Sequence, residues 1–298
     1  MSPMRFIKTP LLNVAYFEHG TPSAFPLVLL HGWPDDARTW DRVIGSFTAA
    51  GFRCIVPYLR GFGPTTFLDA TTLRSGQLAA LGQDVVDFTE ALGLDKFALI
   101  GHDWGARAAA IATTEMPGKA KVSHLVLISV GYGTNSPDQQ LPLKQVHNYW
   151  YHWYMALPRG LDLLRSQRKE FTRYIWDIWA PDWPLGDAEF EATAQSFDNP
   201  DWCDVVISSY RHRWGYAEGD ARYNGLEKRL YPPPVVTVPT LMLHGAADPC
   251  NHPMTSEGKE HFFSGPYVRK LVANAGHFPQ REQADTVATE ILAWLNRV

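Results

Sequence analysis

The sequence predicts an α/β fold: a mostly parallel sheet flanked by helices, with a helical cap inserted into it. As far as Gly131, short apolar runs alternate with helical segments, which is typical of a parallel sheet covered on both faces. Strand signal then becomes rare and aromatic residues crowd until Pro232-Pro233-Pro234, after which the alternation resumes. We therefore expect residues 1–136 and 232–298 to form the sheet domain, and residues 137–231 to form the cap.

The individual elements follow from local patterns. Strands are predicted at residues 13–18, 26–30, 53–57, 97–100, 123–130, 240–244 and 267–271, where short runs are rich in apolar residues. Helices are predicted at residues 77–92, 106–114, 161–179 and 286–298, from apolar residues at helical spacing or, for 106–114, from alanine content.

Composition excludes several classes of protein. The chain has 298 residues, of which 45% are hydrophobic and 19% charged, as in soluble globular proteins. A formal net charge of -4 without a dense basic patch argues against a nucleic-acid partner. No run approaches the roughly 20 apolar residues of a membrane span, and the N-terminus has no signal-peptide pattern. The three cysteines suggest neither disulfides nor a metal site, so we expect a reduced, cytoplasmic protein without membrane association.

The motif Gly101-His102-Asp103-Trp104-Gly105 lies between the predicted strand 97–100 and the predicted helix 106–114. Gly-x-Asp-x-Gly in this position is the nucleophile-elbow pattern, with Asp in place of the usual Ser. A carboxylate nucleophile forms an ester with carbon, which suits attack on an epoxide or alkyl halide better than acyl transfer. We predict that Asp103 is the nucleophile; the alternative is an aspartate that only caps the following helix.

Two motifs near the end of the chain supply candidates for the other members of a triad. Asp248 follows the strand 240–244, and His277 follows the strand 267–271. Loops at this edge of an open sheet carry ligand-facing residues, and the order nucleophile, acid, histidine matches that of elbow hydrolases. We predict that Asp248 orients His277 and that His277 activates water. The alternative acid is Asp138, the first carboxylate after the strand 123–130.

The loop His31-Gly32-Trp33-Pro34 comes directly after the strand 26–30. In elbow hydrolases, one backbone N–H from this loop and one from the residue after the nucleophile bind the oxyanion. We therefore predict an oxyanion hole formed by the amides of Trp33 and Trp104.

With these motifs in place, the chain resembles the α/β-hydrolase-fold epoxide hydrolases, and more distantly the haloalkane and fluoroacetate dehalogenases, over essentially its whole length. The matching motifs are His31-Gly32-Trp33-Pro34, Arg60-Gly61-Phe62-Gly63, Gly101-His102-Asp103-Trp104-Gly105, Asp248 and Gly276-His277-Phe278 with Glu282 following. The resemblance implies the α/β-hydrolase fold, and conversion of a small-molecule epoxide and water to a vicinal diol through an ester on Asp103. It implies no metal or organic cofactor.

The same resemblance implies two cap tyrosines that hydrogen-bond the epoxide oxygen, and Tyr151 and Tyr210 match their positions. Tyr154 stays open as an alternative to Tyr151, because helical spacing puts either one, but not Tyr149 with either, on the site face. The resemblance further implies a substrate pocket that contains His152, Trp153, Tyr154, Arg107 and Phe278.

Two other functions remain alternatives. A dehalogenase is favoured by His152-Trp153, Tyr210-Arg211 and Arg107, which resemble groups that bind fluoride and carboxylate in fluoroacetate dehalogenases. It is disfavoured because Trp104 stands where those enzymes have a second arginine, and Trp33 where haloalkane dehalogenases have asparagine. A non-catalytic small-molecule-binding protein of the same fold is disfavoured by the intact triad. The sequence leaves the oligomeric state open.

Overall fold

The computed structural model describes residues 3–115, 122–134, 139–183 and 187–296. Within this part of the chain, nine strands form one sheet. The strands are β1 (Arg5–Lys8), β2 (Leu12–His19), β3 (Pro26–Leu30), β4 (Arg53–Pro57), β5 (Thr66–Phe67), β6 (Phe97–His102), β7 (Val122–Ile128), β8 (Thr240–Gly245) and β9 (Tyr267–Val272). The α-helices are α1 (Asp41–Ala49), α2 (Leu78–Ala91), α3 (Trp104–Glu115), α4 (Leu143–Asn148), α5 (Trp150–Ala156), α6 (Pro158–Trp179), α7 (Asp187–Ala194), α8 (Trp202–Arg213), α9 (Asn224–Arg229), α10 (Pro279–Glu282) and α11 (Ala284–Leu295).

The sheet has the strand order β1-β2-β4-β3-β6-β7-β8-β9, with β5 paired to β2. The strands from β4 to β9 in this order are parallel, whereas β1, β2 and β5 pair antiparallel. The predicted mostly parallel α/β fold is therefore confirmed. In the register between β3 and β6, Leu30 lies opposite Gly101, so the loops that follow these two strands leave the sheet side by side.

Burial explains why these segments form strands. Every residue of β6 is buried, as expected for an apolar strand with helices on both faces of the sheet. On one face α2 packs against α3, and the contact is close because Gly82 lies against the side chain of Ile111. Burial of a single leucine or isoleucine side chain stabilises such a core by about 1.5–3 kcal/mol.

Helices α4 to α9 lie between β7 and β8 in the chain, and we call them the inserted helices. They contact the loops at the carboxyl ends of the strands. Trp176 donates its indole N–H to the Pro34 carbonyl at 2.5 Å, and the backbone N–H of His277 donates to the Trp179 carbonyl at 2.9 Å. These bonds hold α6 directly above the loops that carry the predicted site. The predicted boundary between residues 136 and 137 lies outside the described residues.

The motif Arg60-Gly61-Phe62-Gly63 also links the inserted helices to the sheet. The buried guanidinium of Arg60 pairs with both carboxylate oxygens of Asp84, at 2.5 and 2.6 Å, and donates to the Tyr223 hydroxyl at 3.1 Å. Because a buried charge that loses its partner is destabilising by several kcal/mol, this contact fixes the chain between α8 and α9 to α2.

Some elements differ from the sequence prediction. The strands β1 and β5 and the helix α1 were not predicted, since β1 and β5 are short edge strands with little apolar pattern. The predicted helix 161–179 begins earlier, at Pro158, and has a non-helical residue, Gln167, inside it. In the described residues, no helix is both long and apolar enough to cross a membrane.

Candidate active site

Asp103 lies at the tip of the sharp turn between β6 and α3. Its φ of 50° is in the left-handed region, and its N–H donates to the Ile128 carbonyl at 3.1 Å. The turn is crowded, since a Cβ on Gly101 would lie 2.3 Å from the Gly105 carbonyl oxygen and one on Gly105 would lie 2.3 Å from the Leu30 carbonyl oxygen. Only glycine fits at these two positions, so the motif presents the Asp103 side chain at the edge of the sheet.

One predicted oxyanion amide already contacts the carboxylate. The Trp33 N–H donates to Asp103 Oδ1 at 3.0 Å. Trp104 is the first residue of α3, where the first N–H groups of a helix have no partner inside the helix. Both amides therefore belong to the two segments that surround the Asp103 carboxylate.

His277 stands between two carboxylates. Its Nδ1 lies 3.0 Å from Asp248 Oδ2, and its Nε2 lies 3.8 Å from Asp103 Oδ2. Asp248 Oδ1 accepts the backbone N–H groups of Cys250, at 2.8 Å, and Asn251, at 3.0 Å. The three predicted triad side chains thus meet in the order Asp103, His277, Asp248.

Supporting contacts hold this arrangement. Glu282 accepts the backbone N–H groups on either side of His277, from Gly276 at 2.7 Å and from Phe278 at 2.8 Å. His244 Nε2 lies 3.2 Å from Asp248 Oδ2. The alternative acid, Asp138, lies outside the described residues.

The pKa values of Asp248 and His277 are set by burial and by the charge that each group presents to the other. Burial disfavours the charged forms of both Asp248 and His277, but their mutual attraction is stronger. It holds the pKa of Asp248 well below its usual range, and it raises the pKa of His277 well above its usual value. Burial also raises the pKa of Tyr151 and of Tyr210 well above the usual phenol value, so both hydroxyls keep their protons at neutral pH.

Tyr151 and Tyr210 meet above Trp33. Tyr151 stacks on the Trp33 ring with centroids 5.5 Å apart, Tyr210 contacts the same ring edge-on at 5.3 Å, and the two tyrosine rings are 5.5 Å apart. Both tyrosines are buried, whereas Tyr154 is only partly buried. The structure therefore brings Tyr151 and Tyr210, from α5 and α8, to the loop that contacts Asp103.

Tyr149 lies between two of the inserted helices, α4 and α5. It is buried, its ring lies 6.4 Å from that of Tyr151, and its hydroxyl donates to Asn251 Oδ1 at 2.6 Å. Because α4 ends at Asn148 and α5 begins at Trp150, Tyr149 and Tyr151 do not belong to one continuous helix. The prediction that Tyr149 does not share the site face with Tyr151 or Tyr154 stays a prediction.

The other predicted pocket residues are spread around these tyrosines. His152 is buried between the rings of Tyr149, at 4.1 Å, and Tyr210, at 4.6 Å, and its Nδ1 accepts the Trp214 indole N–H at 3.0 Å. Trp153 packs on Trp214 farther out and is partly buried.

Arg107 and Phe278, the remaining predicted pocket residues, have different neighbours. The Arg107 guanidinium donates to the carbonyl and to the hydroxyl of Thr134, both at 3.1 Å. Arg107 also lines a cavity of about 60 Å³ whose other walls are largely apolar. Phe278 is fully buried, and its ring packs against the rings of His277 and Trp176, which restricts the position of the histidine.

Sequence reasoning missed one residue of the site. Cys250 is fully buried, and its Sγ lies 3.4 Å from the Tyr151 hydroxyl oxygen. Among the described residues, Asp248, Cys250 and His277 form a group whose ligand-type atoms all lie within 4.8 Å of one another. Asp248 and His277 are hydrogen-bonded directly to each other, which fits a triad. The only available signal was the position of Cys250, two residues after the predicted acid.

Comparisons with known proteins show the family of this chain. A family described as "alpha/beta hydrolase fold" matches residues 26–284. A solved structure of a presumed epoxide hydrolase from Klebsiella pneumoniae is 36% identical, with a TM-score of 0.92, and the match covers 98% of this chain and 96% of that chain. Epoxide hydrolase A of Mycobacterium tuberculosis is 24% identical over 98% of this chain and 96% of its own length. Human Epoxide hydrolase 4 is 27% identical over 95% of this chain and 74% of its own length.

The match to the family covers most of the chain, and the mostly parallel sheet with flanking helices agrees with the fold that the family's description names. The chain therefore belongs to the α/β-hydrolase family of enzymes. Its resemblance to the epoxide hydrolases is confirmed.

Proposed function

We propose that this protein is an epoxide hydrolase that opens an epoxide to a vicinal diol through a covalent ester on Asp103. The observation that carries the proposal is the pairing of a carboxylate at the elbow with two neutral phenols, Tyr151 and Tyr210, above the loop that contacts it. An epoxide needs both a nucleophile at carbon and a proton donor at oxygen. The proposal gains support from the relatives, whose names state the same activity.

In the first step, Asp103 attacks the less hindered epoxide carbon. The carbon–oxygen bond breaks, and the oxygen takes a proton from the hydrogen-bonded phenols Tyr151 and Tyr210. Their raised pKa values keep both groups protonated before the reaction, so both start as donors. The product of this step is a hydroxyalkyl ester of Asp103.

In the second step, His277 takes a proton from water, which attacks the ester carbonyl. Asp248 holds His277 through Nδ1 and stabilises the imidazolium that forms. The Trp33 N–H, already bonded to Asp103 Oδ1, and the Trp104 N–H would stabilise the oxyanion. On collapse, the bond to the diol oxygen breaks, and this oxygen takes the remaining proton of the attacking water, which releases the diol and restores the Asp103 carboxylate. The proton on His277 then returns to the phenolate left by the first step, so that no net proton is consumed.

In the same proposal, the inserted helices form the cap over the sheet, with residues 137–231 as its extent. The division is supported by α4 to α9, which lie between β7 and β8 and contribute Tyr151 and Tyr210. A reducing cytoplasmic location is also proposed, since Cys54, Cys203 and Cys250 are all free thiols.

The direct test offers the purified protein several substrates in parallel: styrene oxide and an alkyl epoxide, fluoroacetate and a chloroalkane, and an aryl ester. Diol is measured by chromatography and halide by ion chromatography, with Asp103→Ala protein as the blank. We expect diol from an epoxide and no halide. Halide release without diol would instead establish a dehalogenase, and no turnover of any substrate would favour a binding protein.

We expect Tyr151→Phe and Tyr210→Phe each to slow ester formation about tenfold, and the double variant about a thousandfold. Two donors to one oxygen partly replace each other, so the loss in the double variant should exceed the product of the single losses. Rapid-quench measurement of ester formation tests this, with Tyr154→Phe as the matched control on the same helix. A wild-type rate in the double variant would contradict the donor role.

We expect Asp248→Asn to lower ester hydrolysis about 10³- to 10⁴-fold. The Asp248 carboxylate raises the pKa of His277, so hydrolysis in the wild type should rise with pH and level off only above the usual histidine value of about 6.5. Removal of the charge lowers this pKa, so the rise should move to lower pH in Asp248→Asn.

Single-turnover hydrolysis rates across pH measure both effects of Asp248→Asn. Asp285→Asn, an exposed aspartate on α11, is the control. If Asp138→Asn lost turnover and Asp248→Asn did not, Asp138 would be the acid.

A further inference from the structure

Arg213 is a buried arginine on α8 that the proposed mechanism does not use. It comes three residues after Tyr210, a spacing that places two side chains next to each other on a helix. Its Cζ lies over the Tyr210 ring, 5.3 Å from the ring centroid, and both side chains are buried. A permanent cation therefore lies against the ring of one of the two proposed proton donors.

Other polar groups also face the Arg213 guanidinium. Its Nη2 donates to the Ser209 hydroxyl at 3.3 Å. Burial raises the pKa of Glu227 on α9, and the charge of Arg213 lowers it. Burial and the charge of Arg213 both lower the pKa of Arg107, and both hold the pKa of His152 well below its usual value. His152 is therefore neutral, and Glu227 and Arg107 are charged neighbours that stay in place when only Arg213 is changed.

The two proposed proton donors have different electrostatic surroundings. Burial and the Asp103 carboxylate raise the pKa of Tyr210, whereas Arg213 lowers it. For Tyr151, burial is joined by the Cys250 thiol and the Asp103 carboxylate, and all of these raise the pKa. The charge of Arg213 therefore favours ionisation of Tyr210 in particular.

Ring opening creates negative charge on the donor phenol. When Tyr210 gives its proton to the epoxide oxygen, its O–H bond breaks, and the electron pair stays on a phenolate whose charge spreads into the ring. Burial makes this charge costly, because little water can solvate it. A cation over the ring attracts the anionic ring more strongly than the neutral one. The contact with Arg213 therefore stabilises the product of the proton transfer more than its starting state.

We propose that Arg213 stabilises the phenolate that forms on Tyr210 during ring opening; the inference rests on the proposed function. The charge lasts from ring opening until the proton on His277 returns to the phenolate, and no oxidant or reductant takes part. Arg213 acts through Tyr210 and not on the substrate, so it is a positioning residue of the reaction.

The first test measures ester formation from styrene oxide by rapid quench. Arg213→Gln removes the charge and keeps a polar donor, whereas Arg213→Lys keeps the charge. We expect Arg213→Gln to slow ester formation about threefold, since Tyr151 still donates to the same oxygen, and Arg213→Lys to stay within about twofold of the wild type. Ester hydrolysis should change in neither variant. Arg165→Gln, at an exposed arginine on α6, is the control.

The effect of Arg213→Gln should depend on which phenol is present. In a Tyr151→Phe background Tyr210 is the remaining donor of the pair, so loss of the cation should slow ester formation about tenfold. In a Tyr210→Phe background it should have no further effect, because the phenolate that Arg213 stabilises does not form. A packing role of Arg213 would instead slow both backgrounds equally. Arg213→Met gives the same comparison if Arg213→Gln does not fold, as judged by circular dichroism.

The phenolate also gives a spectroscopic signature. Stopped-flow ultraviolet absorbance of Tyr151→Phe protein with an alkyl epoxide should show tyrosinate that appears with the ester and disappears as the ester is hydrolysed. Addition of Arg213→Gln should reduce the amplitude of this signal, and Arg213→Lys in its place should restore it.

The results separate a failure of this inference from a failure of the proposed function. Equal slowing of the two Phe backgrounds by Arg213→Gln would overturn the role of Arg213 alone, and so would an unchanged rate in Tyr151→Phe. Ester formation in Tyr151→Phe without any tyrosinate would also overturn it, because no charge would form on the ring. If the wild type formed neither ester nor diol, the proposed function would fail, and the inference with it.

Discussion

Asp103→Ala should abolish epoxide turnover, with a loss of at least about 10⁴-fold in kcat/KM, while the protein stays folded. The carboxylate forms the covalent bond in the proposed mechanism, and the other carboxylate of the proposed triad, Asp248, is bonded to His277 Nδ1. The residual rate would then come from the proton donors and from binding alone. The measurement is diol formation by freshly purified protein, with the fold checked by circular dichroism and thermal unfolding.

The backbone at this position affects the choice of variant. Asp103 has a φ of 50°, a conformation that costs alanine about 1–2 kcal/mol and that asparagine tolerates better. Asp103→Asn also keeps an acceptor for the Trp33 N–H, but its deamidation would restore aspartate. Both variants should therefore be inactive at first. Only Asp103→Asn should gain activity with storage, as deamidation raises its intact mass to that of the wild type. Near-normal turnover by folded Asp103→Ala would remove Asp103 as the nucleophile.

The core of the fold is predictable because its signals are local. The predicted strand 26–30 coincides with β3 (Pro26–Leu30), and the predicted strand 53–57 coincides with β4 (Arg53–Pro57). The turn after β6 is specified by glycines at two crowded positions, Gly101 and Gly105, which a sequence shows directly. The geometry of the turn between β6 and α3 is therefore predictable from the five residues Gly101 to Gly105.

The inserted helices are less predictable, because their arrangement depends on contacts between distant segments. Tyr149 lies at a break between two short helices, and no local pattern marks that break. Cys250 contacts Tyr151 across 99 positions of the chain. A cysteine in a loop is most often a small buried apolar residue, so its sequence alone gave no reason to place it beside a phenol.

The ion pairs of Arg281 with two acidic residues were likewise not predictable from the sequence. Arg281 follows His277 by four positions, and its guanidinium bonds both oxygens of Asp35, at 2.6 and 3.1 Å, and Glu189 on α7 at 3.0 Å. It thereby ties the histidine loop to the loop after β3 and to the inserted helices. Each of these charges looks like an ordinary surface residue in the sequence, and only the fold brings them together, with Arg281 and Asp35 buried and Glu189 partly exposed.

His277→Ala should make the covalent ester on Asp103 accumulate. Without the base, water attacks the ester about 10²- to 10⁴-fold more slowly, whereas Asp103 and the two tyrosines still open the epoxide. The ester should therefore accumulate to one equivalent per chain and be visible in the intact mass. His277→Gln is the second variant, since it fills more of the space against Trp179, and His147→Ala, an exposed histidine on α4, is the control.

The mass of the trapped species identifies the chemistry. An epoxide adds its whole mass to the protein, because the opened oxygen remains attached to carbon. A haloalkane or a haloacid adds only its organic part, because the halide departs. We expect adducts of full mass from simple aryl or alkyl epoxides, located on Asp103 by peptide mapping and absent in the Asp103→Ala, His277→Ala double variant. An adduct that has lost halide, with epoxides unreactive, would establish a dehalogenase instead, because it would show that the same carboxylate attacks a carbon whose leaving group needs no phenol.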